Sequence, residues 1–229
     1  MAKGVGQTSL LGSYEAERRP VAAALLKNSG RTTKFAMAQN SIAAGIRVAV
    51  AQTVPHLQFL HQRMAQSLGM LDISYADSPI SKDCVKGKWL DFTKSVAAIG
   101  TRVPHHTIRA SDGVHTTKLL MEVCSQDTRH NLLVFCSPSD LVLLKETKAL
   151  TRRYENYVNI HVMLKEQSDA EALSSDITSY FEDFDLSLAT KFGIAETGFI
   201  LVRPDQHFSF RSSPAEISQL AEFLNVIFV

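Results

Sequence analysis

The sequence predicts an α/β protein in two parts, a helical segment followed by a small α/β domain. Residues 9–68 are rich in Ala and Leu and have few β-branched runs, which is typical of helices. After Gly100 compact apolar runs suit buried strands, and stretches with helical spacing lie between them. We therefore predict a division of the chain into residues 1–96 and residues 97–229.

The helical part divides at prolines and at a glycine. A first helix begins near Ser9, and Pro20 is expected to end or kink it close to Arg19, because proline lacks an amide donor and clashes with the preceding turn. A second helix is predicted over 40–53. A third is predicted over 55–68, since Pro55 suits a first helical turn and Gly69 suits a stop.

Residues 69–97 have a weaker pattern. Leu71, Ile73 and Tyr75 alternate like a short strand, and a polar stretch follows around Lys82–Lys88. We interpret this stretch as a connection between the two parts.

The second part has a recognisable order of elements. Strands are predicted over 131–136, 157–164, 198–202 and 206–211, and the last two form a hairpin around the turn Arg203-Pro204-Asp205. Helices are predicted over 139–154 and 214–229. The order strand, helix, strand, hairpin, helix is that of a thioredoxin-like fold.

Charge and cysteine content exclude several classes of protein. Lys and Arg total 24 against 23 for Asp and Glu, so a net charge of +1 gives no field to attract nucleic acid or an anionic membrane. The most apolar stretch, 42–60, is interrupted by Arg47 and Pro55 and is too polar to span a membrane. Three dispersed cysteines without a C-x-x-C pair favour a cytoplasmic location.

One long motif lies near the start of the chain. Residues 10–22 read L-L-G-S-Y-E-A-E-R-R-P-V-A, which resembles the L-L-x-S-Y-E-x-E-R-R-P-x-A signature of FAD-dependent aromatic-ring hydroxylases related to phenol hydroxylase. Two later pieces resemble the thioredoxin-like C-terminal domain of that family. They are the G-T-R-V-P-H stretch at 100–105 and the L-V-R-P-D-Q-H stretch at 201–207 with Arg211, where Gln206 replaces the usual glycine of the hairpin turn.

The resemblance implies a function for the intact family. Its members use FAD, NAD(P)H and molecular oxygen to hydroxylate phenolic or related aromatic rings. It also implies that residues 1–96 are the helical C-terminal remnant of an FAD-binding domain with a linker. Residues 97–229 then form a thioredoxin-like domain without C-x-x-C.

The sequence lacks the flavin-binding motif of that family. A G-x-G-x-x-G turn after a first strand would hold the pyrophosphate at a helix N-terminus, and nothing here matches it. Gly4-Val5-Gly6 has no strand before it and reads as an N-terminal turn. The chain is therefore expected to begin inside a domain and, alone, to bind neither FAD nor NAD(P)H, so we nominate no cofactor-binding residue.

Residue types that often carry chemistry do not form a convincing site. His105, His106, His115 and His130 lack the spacing and companion ligands of a metal site. Asp140, Asp205 and Ser209 form no recognisable nucleophile arrangement with a histidine. The charged cluster at Glu15, Glu17, Arg18 and Arg19 is best explained by surface or interdomain ion pairs. We nominate no catalytic and no metal-binding residue.

Cys136 is the one candidate for redox chemistry. It follows an apolar strand and precedes a predicted helix, whose N-terminal amides could lower a thiol pKa. However, Ser137-Pro138-Ser139 supplies no second thiol to resolve a mixed disulfide, and strand cysteines are usually packing residues.

Two kinds of partner follow from these patterns. The chain ends in the apolar run Val226-Ile227-Phe228-Val229, which suggests a homodimer contact. A chain carrying the flavin domain is the other expected partner. The leading hypothesis is a C-terminal portion of a flavoprotein monooxygenase that is not catalytic alone. The alternative is a stand-alone, non-redox thioredoxin-like module for interaction or dimerisation.

Overall fold

The computed structural model describes residues 9–38, 41–53, 73–85, 98–110, 116–137, 139–165, 179–183 and 187–228. The chain separates into two compact units, one spanning Leu11–Ile73 and the other containing Ser9, Leu10 and the described residues from Ser74 onward. The division predicted between residues 96 and 97 stays a prediction.

The helical unit contains the first two predicted helices. Helix α1 spans Ser9–Met37 and α2 spans Ser41–Thr53. The prediction for α2 is confirmed within one residue. Pro20 does not end α1, which continues for another 17 residues to Met37. The helix predicted over 55–68 lies outside the described residues.

The second unit is an α/β domain built on one eight-stranded sheet. Its strands are β1 Lys82–Val85, β2 Thr107–Ala110, β3 Thr117–Leu119, β4 His130–Cys136, β5 Val158–Leu164, β6 Ser179–Glu182, β7 Gly198–Val202 and β8 Phe208–Ser213. The strand order across the sheet is β1-β8-β7-β4-β5-β6-β2-β3. Its helices are α3 Leu120–Cys124, α4 Leu141–Thr151 with a 3₁₀ turn at Arg152–Tyr154, α5 Ser187–Lys191 and α6 Ile217–Ile227.

The centre of the sheet has the predicted thioredoxin-like arrangement. Strands β4 and β5 are parallel and are joined through α4, while β7 runs antiparallel to β4 and forms a hairpin with β8. The fold class is therefore a helical segment followed by a thioredoxin-like α/β domain. All four predicted strands are present to within two residues at each end.

Alternation along β4 divides the core between the two faces of the sheet. Leu133 and Phe135 point into one cluster with α3 and α5, and Leu132 and Val134 point into the other with α4 and α6. Both faces are covered, which explains why β4 and β7 are continuous apolar runs without polar alternation.

The structure corrects two predictions for the stretch 69–97. Lys82–Val85 is not a simple connection, because it forms edge strand β1, parallel to β8. Its sequence, Lys-Asp-Cys-Val, has no apolar alternation, and none of its four residues is fully buried. The short strand predicted around Ile73 and Tyr75 is wrong, since the described residues there are irregular.

Candidate functional site

Two stretches singled out in the sequence lie side by side at one end of the sheet. The Gly100 amide donates to the Phe208 carbonyl at 2.8 Å, and the Phe208 amide donates to the Thr101 carbonyl at 3.0 Å. Gly100 has φ +82, and an added Cβ would lie 2.2 Å from the Ala76 amide nitrogen. Only glycine fits there, because the backbone of the preceding loop passes so close.

Side chains from the stretch 201–207 and from the loop that contains Tyr75 form what we call the hairpin cluster: Tyr75, Arg203, Asp205 and His207. The Arg203 guanidinium lies over the Tyr75 ring, 5.6 Å from its centroid, and the Tyr75 and His207 ring centroids are 4.7 Å apart. Arg203 Nη2 also lies 2.8 Å from Asp205 Oδ2. These contacts tie residues 75–76 to the hairpin.

The neighbours of Asp205 in the hairpin cluster favour its ionised form. Burial would raise the pKa of this carboxyl, but its hydrogen bond with His207 and the nearby Arg203 charge outweigh burial and lower it to about 2. The carboxylate is thus engaged by two neighbours. Such an arrangement stabilises a loop, and it presents no base poised next to a nucleophile.

The other carboxyl and hydroxyl groups considered in the sequence also have structural partners. Ser209 is fully buried and donates to the Leu201 carbonyl at 3.2 Å. Asp140 accepts from the Ser137 amide at 2.8 Å, in the turn before α4. The structure does not bring Asp140, Asp205 and Ser209 together, so no Ser-His-Asp constellation arises from them.

Gln206 occupies the strained position of the hairpin turn. Its amide donates to the Arg203 carbonyl at 2.9 Å, and its φ is 66, in the left-handed region. Replacement of Gln206 by glycine is expected to raise the free energy of unfolding by about 0.5–1 kcal/mol, because glycine adopts this conformation without a Cβ clash. Urea denaturation measures the change.

Gln206→Ala is the matched control for that prediction. Alanine removes the same long side chain but keeps the β-carbon, so it should bring no gain in stability. An equal gain from alanine and glycine would mean that the glutamine side chain, and not the backbone strain, limits stability.

Arg211, the last residue of the resemblance motif, lies inside the domain. Its side chain is 5% exposed and pairs with Asp83 of β1 through two hydrogen bonds, and its Nη1 donates to the Phe192 carbonyl at 2.9 Å. It therefore connects β8 to the edge strand and to the loop after α5. Nothing in this geometry assigns Arg211 a role in binding a ligand.

Cys136 is fully buried at the end of β4. Burial, with a smaller contribution from the Asp140 carboxylate, raises the pKa of its thiol to about 12. The other two cysteines, half-buried Cys84 and buried Cys124, also have raised pKa values because of burial. A thiol of this kind is protonated at neutral pH and is a poor nucleophile.

We expect Cys136 to react with iodoacetamide at pH 7 more slowly than a free cysteine by at least about tenfold, since both exposure and thiolate fraction are low. Peptide mass spectrometry over a time course gives the rate, and the same reaction in denaturant shows that all three thiols can be labelled. A native rate equal to that of free cysteine would restore the redox interpretation.

The turn between β4 and α4 is where an α/β protein could place a phosphate group, and it does not fit FAD. It contains no glycine, and the Asp140 carboxylate already occupies the Ser137 amide. An anion at this position would be repelled by the carboxylate, and side chains would block close approach of its pyrophosphate to the backbone. The described residues therefore offer no flavin site at this turn.

The histidines are dispersed. His106 Nε2 lies 3.3 Å from Ser187 Oγ, and His105 is exposed. His130 stacks edge-on against Phe228 at 5.3 Å, and burial lowers its pKa to about 4. His115 lies outside the described residues. Across the described ranges no three His, Cys, Asp or Glu side chains are grouped to hold a metal ion.

The charged motif on α1 contains an exposed ion pair, as expected. Arg19 Nη1 lies 3.6 Å from Glu15 Oε1, with both side chains at least three-quarters exposed. Arg18 lies over the Tyr14 ring, while Glu17 is buried. A pair this exposed contributes little to stability.

A buried polar network that the sequence analysis missed crosses three strands. His161 Nε2 lies 2.9 Å from Asn131 Oδ1, and His161 Nδ1 lies 2.6 Å from Ser179 Oγ. Asn159 Nδ2 contacts both Asn131 Oδ1 and the Asp127 carboxylate within 3.3 Å. The detectable signal was polar Asn159 and His161 two residues apart within an apolar strand, because that spacing puts them on one face.

The contacts of Asn131 determine which nitrogen of His161 carries the proton. Asn131 Nδ2 donates to the Cys124 and Arg129 carbonyls, so its Oδ1 must accept from His161 Nε2. Burial lowers the pKa of His161 to about 4, and the neutral ring then accepts at Nδ1 from Ser179. The network thus holds a neutral histidine in a single tautomer.

A concave region lies beside β2 and β6. This cavity of about 300 Å³ is lined by side chains that include His106, Arg109, Glu182 and Ser187. Arg109 Nη1 lies 3.7 Å from Glu182 Oε2. Asp183 accepts the amides of Leu188 and Ala189. The carboxylates here are therefore engaged with the protein itself.

Comparisons with known proteins show a similarity of fold. No family model and no curated protein matches the sequence. The flavin-dependent monooxygenase PieE, solved with FAD and substrate, is 15% identical with a TM-score of 0.60. The match covers 96% of this chain and 39% of that one. This chain therefore spans well under half of the length of that enzyme.

Smaller thioredoxin-like proteins match just over half of the chain. The exposed lipoprotein thioredoxin of Streptococcus pneumoniae is 13% identical over 53% of this chain and 98% of its own, with a TM-score of 0.41. The 2-Cys peroxiredoxin of Plasmodium vivax is 12% identical over 56% and 94%, with a TM-score of 0.42. Within the described part of the chain, no helix has the length and apolar content to cross a membrane.

Proposed function

We propose that this chain supplies the helical segment and the thioredoxin-like domain of an FAD-dependent, NAD(P)H-using monooxygenase that hydroxylates phenolic or related aromatic rings. The observation that carries the proposal is a similarity of fold to PieE across both units, over 96% of the chain. The motifs at 10–22, 100–105 and 201–207 support it independently, because their order agrees with that of the family they resemble.

The role of the chain in such an enzyme is structural. Each group in the hairpin cluster that the sequence motif singled out contacts another member of that cluster, and Cys136 is buried with a pKa of about 12. Oxygen chemistry belongs to the flavin, and the protein must provide its binding site and a closed substrate pocket. We infer that a separate polypeptide region, the flavin domain, provides both.

The surface of the helical unit supports such a partner. Leu26 on α1, Met37 at its end and Ile42 on α2 are each about three-quarters exposed, at 74%, 73% and 73%. A partner that covered these side chains would remove large apolar surface from water, which stabilises an assembly. We propose that a flavin-domain chain covers them.

The test uses the complete chain. Titration with FAD alone, followed by flavin fluorescence and by the thermal unfolding temperature, is expected to show no binding. A tagged copy expressed in its native host is expected to copurify a flavin-containing polypeptide that oxidises NAD(P)H when a phenol is added. Micromolar FAD binding by the isolated chain would contradict the assignment of the flavin site to a partner.

Matched variants make the copurification specific. Leu26→Glu with Ile42→Glu should abolish recovery of the flavoprotein, because a charge would be buried in the interface. Lys27→Glu changes an exposed neighbour and should leave recovery unchanged. If the flavoprotein is recovered equally with all variants, the helical unit is not its binding surface.

The second candidate is a stand-alone, non-redox thioredoxin-like interaction or dimerisation module. The core clusters on both faces of the sheet favour it, since described residues of the second unit already cover each face. Phe228, which the sequence analysis assigned to a dimer contact, is 7% exposed and packs on Tyr154 and Tyr157 of the same chain. Failure to copurify any flavoprotein, together with a functional partner lacking flavin, would favour this alternative.

A further inference from the structure

A basic groove, defined by Arg129, Lys145, Lys148 and Arg152, runs along the second half of α4. It has a volume of about 650 Å³, and the only carboxylate among its described lining residues is Glu155. Four cations against one anion is a strong local imbalance in a chain whose net charge is +1. The charge is therefore concentrated in one place on the domain.

The spacing of the cations follows from the helix. Lys145, Lys148 and Arg152 are three and then four residues apart, which places them on one face of α4 and its 3₁₀ extension. At about 1.5 Å per residue their attachment points extend over roughly 10 Å. Ala149 lies among them with a small, exposed side chain, so the space between the cations stays open.

Arg129 forms the opposite wall and is held in position. Its Nη2 and Nε lie 2.6 and 2.7 Å from Asp127 Oδ2, and its Nη1 donates to the Glu155 carbonyl at 3.5 Å. Asp127 in turn contacts the buried network through Asn159. Because Asp127 compensates part of the Arg129 charge, most of the attraction for an anion comes from α4.

We propose that the basic groove binds an extended acidic segment of a partner protein, bearing several Asp or Glu carboxylates. An extended chain advances about 3.3 Å per residue, so roughly 10 Å corresponds to three residues, a length that matches the row of cations. Side chains of an extended chain alternate between its two sides, so carboxylates at every second residue of the segment would face the cations. This inference does not depend on the proposed monooxygenase role.

Other anions fit the groove less well. A single small anion needs donors that converge on one point, and the first and last cations of α4 are too far apart for that. Nucleic acid binding rests on a positive surface that follows many phosphates, and the row of cations on α4 extends over only roughly 10 Å. A second copy of this chain could offer Asp140, which precedes α4, and Glu146 in the middle of α4, and is treated as an outcome of the test.

The experiment measures the fluorescence anisotropy of a fluorescein-labelled glutamate-rich peptide with the complete chain at low salt. Saturable binding is expected, with weakening as salt rises, because these charges are exposed. The same peptide with glutamine in place of glutamate should not bind. Failure of the glutamate peptide to bind at low salt would overturn the proposal.

Charge reversal locates the site. Lys145→Glu with Arg152→Glu should weaken binding at least about tenfold, and the milder pair Lys145→Gln with Arg152→Gln should weaken it less. Circular dichroism checks that each variant folds. The control Lys118→Glu with Lys191→Glu makes the same change of net charge on β3 and α5 and should leave the affinity unchanged.

Three results would contradict the proposal. Equal weakening by the control pair would show an effect of net charge alone. Displacement of the peptide by a single-stranded oligonucleotide at a lower concentration than by unlabelled peptide would indicate a polyphosphate site. A doubled mass in light scattering, lost in the Lys145→Glu/Arg152→Glu variant, would show that a second copy occupies the groove.

Discussion

Replacing Arg211 by methionine is expected to lower the free energy of unfolding by about 2–4 kcal/mol. The guanidinium is 5% exposed, and its loss leaves the Phe192 carbonyl without its donor and the Asp83 carboxylate without its cation. Removing one partner of a buried pair costs about 3–5 kcal/mol. We place the expected value slightly lower because the Asp83 side chain is 41% exposed and regains some water.

The control for Arg211 lies on the same edge strand. Lys82 Nζ is 2.7 Å from Glu222 Oε2, but these side chains are 41% and 69% exposed. Lys82→Met is therefore expected to cost less than about 1 kcal/mol. Chemical denaturation of both variants gives the comparison. Similar small losses would show that β1 is held by its backbone pairing and not by the Arg211 side chain.

Acid is expected to destabilise the domain through His161. Burial lowers the pKa of this group from 6.5 to about 4, so the unfolded chain takes up a proton at a pH where the folded one does not. Above pH 6.5 the lowered pKa of His161 does not reduce the free energy of unfolding. The reduction grows as pH falls from 6.5 towards 4 and reaches roughly 3 kcal/mol at pH 4, from about 1.4 kcal/mol per pKa unit.

His161→Gln isolates this contribution. The amide of glutamine can hydrogen-bond within the network but cannot titrate, so the variant should lose about 3 kcal/mol less than the wild type between pH 7 and pH 4. His105→Gln, which changes an exposed histidine, should keep the wild-type slope. Unfolding free energies from urea titrations across this range provide the measurement. If the unfolding free energy depends on pH identically in all three proteins, His161 is not the source of the loss of stability in acid.

Other groups shape the same pH profile. The pKa of His130 is also lowered to about 4, but by surface exposure its side chain is only half-buried, so we assign it a smaller effect. The pKa of Asp205 is lowered to about 2, and its contribution is present above pH 3.8 and lost as pH falls through 2. The Asp205 contribution therefore acts at lower pH than the His161 penalty.

The central elements of the fold could be predicted from sequence because their signals are local. Apolar runs at 131–136 and Gly198–Val202 are typical of strands that are covered on both faces. The residues of α2 and α6 have a composition that is typical of helices. The edge strands could not be predicted in this way. β1 and β3, at the two edges, have four and three residues and no alternation of buried and exposed side chains. β2 does alternate, but with four residues it is too short to stand out in the sequence.

Pro20 lies inside α1, although a proline usually ends or kinks a helix. Proline removes one amide donor from a helix, yet α1 continues through it for 29 residues in total. The sequence predicted an end or a kink close to Arg19, because proline also clashes with the preceding turn. The remaining turns on either side retain their own hydrogen bonds, which is sufficient for the helix to extend past the proline.

The sequence by itself determined the α/β class, the thioredoxin-like order of the central elements and the resemblance motifs, because these depend on periodicity and on residues close together along the chain. Only the tertiary structure decided what the motif residues do. Arg211 meets Asp83 across 128 positions, Tyr75 meets His207, and His161 meets Asn131 in a buried network. The basic groove likewise exists only because the fold brings Arg129 beside α4. Such contacts depend on sheet register and on burial, which local pattern does not encode.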